Sequence, residues 1–117
     1  MEELTQEQFR KIEANINQWK VILGLGDWQI DINRLLGEDD VFASILNNFP
    51  RKEVAIQFTA RAFINDEILE DTIIHELLHL VISSYSKRVD ILLPENKIIE
   101  DLEEEVVERL TKIMKKL

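Results

Sequence analysis

The sequence predicts an α+β domain in which helices pack against one small sheet. Apolar residues recur at helical spacing near the start, the middle alternates between polar and apolar, and the second half returns to helical periodicity. The 117 residues suffice for a single domain, 1–117, with one modest core.

The first element is an amphipathic helix. Thr5 and Gln8 have the spacing of a capping box, and Phe9, Ile12, Ile16, Trp19 and Leu23 follow at intervals of three and four. Gly24 and Gly26 are its stop signal. Trp28, Ile30 and Ile32 then alternate with Gln29, Asp31 and Asn33, the pattern of a half-buried strand. After a Gly37–Asp40 turn, Val41 to Leu46 forms a second strand, closed by Asn47-Asn48-Phe49-Pro50. In a third strand Val54, Ile56 and Phe58 share one face, with Ala55, Gln57 and Thr59 on the other. Short spacers between the strands lead to the expectation of a small, mostly antiparallel three-stranded sheet, ordered as a meander. A buried helix is expected from Asn65 or Asp66, either of which can cap it, to about Ser84. Tyr85 to Pro94 reads as a connection. The last helix starts near Pro94-Glu95, with Ile99, Leu102, Val106, Leu110, Ile113 and Leu117 as its core stripe. Acidic residues fill its first half and lysines its last turn, in the sense that the helix dipole favours.

Bulk composition excludes several classes. A net charge of −9 argues against nucleic-acid binding, which relies on cationic side chains against phosphate. No stretch approaches the roughly 20 apolar residues of a membrane span, and the start lacks the basic region of a signal peptide. With no cysteine there are neither disulfides nor thiolate ligands. A cytoplasmic protein with no membrane partner is the expectation.

Chemistry concentrates in the third predicted helix. From Ile73 to Ile82 it is apolar all round except for His75, Glu76 and His79. A helix that is apolar on every side is buried, and three ionisable groups there are costly unless paired or bound to a metal. His75 and His79 are four apart, so both imidazoles can reach one ion. Glu76 lies about 100° round the helix, near enough to act on a water at that ion. A catalytic zinc commonly takes a third protein ligand. The chain has no other histidine, so that ligand must be a carboxylate or, less readily, a tyrosine. The acidic last helix offers Glu100, Glu103, Glu104, Glu105 and Glu108. Glu103, one turn from Ile99 and from Val106, sits at the edge of the predicted core face and is the choice. On this reading Glu104, Glu105 and Glu108 are solvated, while Glu100 and Glu104 remain the alternatives if Glu103 is wrong. Arg61 and Tyr85, near the ends of the third strand and the active-site helix, could touch substrate or stabilise an oxyanion, but surface packing is the preferred explanation of both.

His75-Glu-Leu-Leu-His79, followed 24 residues later by Glu103-Glu-Glu-Val-Val-Glu-Arg-Leu, resembles the gluzincin metallopeptidases. Size and element order are most similar to the compact minigluzincins, and more loosely to small phage and ImmA/SprT-type peptidase domains. The resemblance implies a zincin-like fold with an active-site helix and a later glutamate helix. It also implies one Zn²⁺ on His75, His79 and Glu103, with Glu76 as general base. In larger gluzincins an aspartate often stands four residues after the ligand glutamate to orient a histidine. Here that position is Val107, so any such partner must come from elsewhere.

The expected function is zinc-dependent hydrolysis of a peptide or protein substrate, which could add as an extra strand along the third strand. The chain could equally be latent, with its cleft blocked by its own tail or by a partner, and a partner or self-association as a homo-oligomer could complete the cleft. Two alternatives belong to other classes: a catalytically silent, zinc-stabilised interaction or regulatory domain, and a structural module without metal.

Overall fold

The computed structural model describes residues 2–38, 40–48, 51–92 and 98–116, with side chains at 47–48, 83–92 and 98–102 left undescribed. In chain order the elements are α1 (Gln6–Ile22), β1 (Gln29–Ile32), β2 (Ala43–Asn48), β3 (Glu53–Phe58), a 3₁₀ turn (Ala60–Phe63), α2 (Asp66–Leu92) and α3 (Ile98–Met114). This is the expected α+β class.

α1 begins and ends where its signals stand. The backbone N–H of Gln8 donates to Thr5 Oγ1 at 3.1 Å, and Thr5 N–H donates to Gln8 Oε1 at 2.9 Å. Gly24 adopts φ +71°, which allows Gly24 N–H to donate to Val21 O and Leu25 N–H to Lys20 O. That is a Schellman closure, and Leu25 is buried beneath it. Ile12, Ile16 and Trp19 form the buried face of α1.

The sheet is mixed, in the order β1-β3-β2. β2 and β3 form an antiparallel pair with Ala43 opposite Phe58 and Asn48 opposite Glu53. β1 joins the other edge of β3 in parallel, with Gln29 beside Glu53 and Ile32 beside Ile56. The meander expectation is therefore corrected. Alternation fixes which face of a strand is buried but not which neighbour it takes. Val54, Ile56 and Phe58 do face the core, as expected. However, β3 is central and paired on both edges, so it cannot serve as the rim for an added peptide strand. The strand with an unpaired edge beside α2 is β2, among the described residues.

Asn65 caps α2, accepting from Ile68 N–H at 2.8 Å. Ile73, Ile74, Leu77, Leu78 and Leu80 join the sheet and α1 in one core. The helix runs on to Leu92 rather than ending near Ser84. No glycine or proline interrupts 84–92, and side chains such as Lys87, Arg88 and Leu92 favour helix. The expected start of the last helix at Pro94-Glu95 lies outside the described residues.

α3 packs along α2 but is turned relative to the expected stripe. Val107 is 0 % exposed, and Leu110, Thr111 and Met114 lie on the same side, whereas Val106 is 41 % and Ile113 57 % exposed. Among the described residues no helix is long and apolar enough to cross a membrane.

Candidate metal centre

The apolar wrapping of α2 leaves His75, Glu76 and His79 one open side, where α2, α3 and β2 border a cleft of about 830 Å³. His75 and His79, one turn apart, bring their Nε2 atoms to 3.3 Å. The carboxylate of Glu104 closes the triangle. Its Oε1 is 3.0 Å from His75 Nε2, and its Oε2 is 3.1 Å from His79 Nε2.

The sequence reading is therefore revised at one position. Glu103, expected beside the two imidazole donors, instead stands 3.5 Å from His79 Nδ1, on the other side of that ring. Its side chain is 15 % exposed, against 55 % for Glu104. The cause is the turn of α3: burying Val107 in place of Val106 rotates the helix by about 100° and carries position 104 to the cleft. Glu104 was expected to be solvated, and it is partly so, but its carboxylate points at both histidines. Glu105 and Glu108 are exposed as expected. The side chains of Glu100 and Tyr85 lie outside the described residues. Arg61 lines the cleft, with its guanidinium 4.7 Å above the Phe42 ring.

The donor set suits a small divalent ion. With zinc–ligand distances of roughly 2.0–2.1 Å, the edges of a tetrahedron measure about 3.3–3.4 Å. The two Nε2 atoms, 3.3 Å apart, match such an edge, and each faces its own oxygen of the Glu104 carboxylate at 3.0–3.1 Å. Two imidazole nitrogens and a carboxylate, with a side open to the cleft, form a set that zinc accepts. His79 also has a carboxylate at its second nitrogen, the arrangement that commonly fixes the tautomer of a ligating histidine.

Glu76 borders the same cleft and a smaller one lined by Ser44, Ile45 and Glu103. Burial pushes its carboxyl up to about 7, with His79 pulling it down and Glu104 pushing it further up. A carboxyl near neutrality can both take and return a proton, as a general base and acid must.

Asp71 also lines the cleft, as does Lys115, which the sequence offers only as one of the lysines favoured by the helix dipole. Lys115 Nζ lies 2.7 Å from Asp71 Oδ1 and 2.8 Å from Glu67 Oε1. The available signal was positional: Lys115 is eleven residues beyond Glu104 and so shares its helix face. Comparisons of the chain with protein-family models, with curated proteins and with solved structures give no match.

Proposed function

We propose that this chain is a zinc-dependent peptide hydrolase of gluzincin type, with His75, His79 and Glu104 as metal ligands and Glu76 as general base and acid. The observation that carries the reading is the convergence of two imidazole nitrogens and a carboxylate within 3.0–3.3 Å, beside a half-buried glutamate in the same cleft. A zinc ion held there supplies Lewis acidity, which polarises a carbonyl and makes water nucleophilic near neutral pH.

The remaining roles fall to the chain's own side chains. Glu76 accepts the proton of the attacking water on a carboxylate oxygen and returns it to the leaving amine. Glu103 orients His79 through Nδ1. The edge of β2, unpaired among the described residues, offers backbone groups along which an extended peptide can lie, with its scissile bond over Glu76. A centre that only stabilised the fold would have no use for a half-buried glutamate poised near neutrality, which favours hydrolysis over a silent domain.

The test is peptide-library hydrolysis by the zinc-loaded chain, with Glu76→Gln beside it. Glu76→Gln should keep its zinc and lose roughly 10²–10⁴-fold in rate. Equal hydrolysis by the two proteins would remove Glu76 from the mechanism. Zinc binding without turnover by the native chain would favour the silent interaction domain.

A further inference from the structure

α2 and α3 meet through charged side chains at two places among the described residues. At one, Glu104 faces His75 and His79. At the other, Lys115 Nζ donates to Glu67 Oε1 at 2.8 Å and forms an ion pair with Asp71 at 2.7 Å that is not aligned as a hydrogen bond. The Lys115 side chain is only 22 % exposed. The two carboxylates, Asp71 first, hold its ammonium above its usual range.

The two contacts belong to one geometry. Positions 104 and 115 are about 20° apart around a helix and about 16 Å apart along it. The helical pattern persists to the end of that interval, where Lys115 N–H donates to Thr111 O at 3.1 Å. On α2, Glu67 and Asp71 are one turn apart, as are His75 and His79. The helices run antiparallel, with one face of each carrying both contacts.

Apolar packing alone does not dictate this arrangement. A face of Val106, Leu110 and Ile113 is at least as apolar as the Val107, Leu110 and Met114 that are buried or partly buried. Hydrophobic contact is non-directional and would accept either. Turning α3 to the other face would swing Glu104 and Lys115 away from α2 together. A slip of one residue along the axis would move Glu104 by about 1.5 Å, more than a metal ligand tolerates.

We infer that Lys115 is a positioning residue for the metal centre: its ion pairs with Glu67 and Asp71 set the rotation and register of α3 that aim Glu104 between His75 and His79. The inference rests on the reading of Glu104 as a ligand. Partly exposed ion pairs add little to stability, so its effect is on ligand placement more than on unfolding.

Zinc affinity of the chelator-stripped chain, measured by competition with a chromogenic chelator, tests it. The proteins compared are native, Lys115→Met, Lys115→Arg, Glu104→Ala and the Glu104→Ala, Lys115→Met double variant, each with its helix content from circular dichroism. Lys115→Met should weaken zinc binding roughly 10–100-fold with helix content unchanged. Lys115→Arg should recover most of the loss, and Lys115→Met should cost nothing further once Glu104 is alanine. Native affinity in Lys115→Met, with Glu104→Ala impaired, would overturn the inference and leave the ligand reading standing. An equal loss in both backgrounds would also overturn it, because Lys115 would then act on the fold in general. Native affinity in Glu104→Ala would overturn the ligand reading itself and the inference with it. Should Lys115→Met lose helix content, Glu67→Gln combined with Asp71→Asn removes the same ion pairs and is held to the same outcomes.

Discussion

The parts of α2 and α3 that border the cleft are held in place by different forces. From Ile73 to Leu80, α2 is enclosed by α1, the sheet and α3, and Ile73, Ile74 and Leu77 are wholly buried. Its polar side chains have one direction left, so the core aims His75, Glu76 and His79. Among its described side chains α3 touches the core through a strip around Val107, with Glu104, Glu105 and Glu108 exposed around it. Its rotation is set by a few charged contacts. One half of the site is thus built by burial and the other by pairing, and they should respond differently to substitution.

The largest difference should appear in zinc affinity on the α3 side. Glu104→Ala removes a ligand and should weaken zinc by more than the roughly 10–100-fold that follows loss of an orienting partner. Glu103→Ala removes such a partner from His79 Nδ1 and should fall within that range. Competition titration separates the two, and the reverse ranking would restore Glu103 as the ligand.

On the α2 side, burial of Glu76 should show as a pH dependence of stability in the zinc-free chain. Its carboxyl is raised from the ordinary glutamate value of 4.5 to about 7, so the fold favours the protonated form. That contribution is whole below 4.5 and is lost as pH rises through about 7. Over this window the native chain should lose on the order of 3 kcal/mol relative to Glu76→Gln, as measured by urea unfolding in chelator. Parallel pH profiles for the two proteins would show that Glu76 is not desolvated.

The smallest effect concerns the rotation of α3. Val107→Ala should destabilise by about 1–3 kcal/mol, and Val106→Ala should stay within about 0.5 kcal/mol. Thermal or urea unfolding decides between them. A larger cost at Val106 would return the helix to the stripe read from the sequence.

That contrast also explains what the sequence revealed. α1 was legible because its capping box, its three-four spacing and its closing glycine each act locally. The buried face of β3 was legible because side chains alternate across a strand. His75, Glu76 and His79 stood out because three ionisable groups in an all-apolar helix need a partner. The parallel pairing of β1 with β3 was not legible, since it depends on contacts between distant segments. The extension of α2 past Ser84 was missed because thinning apolar content looks like a loop even where nothing breaks the helix. On α3, adjacent valines at 106 and 107 define two possible core faces, and Glu103 and Glu104 change roles with the choice. Only partners elsewhere in the chain, Lys115 with Glu67 and Asp71 among them, distinguish the two.

The most direct test of the central claim is a crystal structure of the zinc-soaked chain with anomalous scattering recorded at the zinc edge. The account predicts a single peak roughly 2.0–2.2 Å from His75 Nε2, His79 Nε2 and a carboxylate oxygen of Glu104, with Glu103 at His79 Nδ1. A peak coordinated by Glu103 in place of Glu104, or no peak between the two histidines, would contradict it.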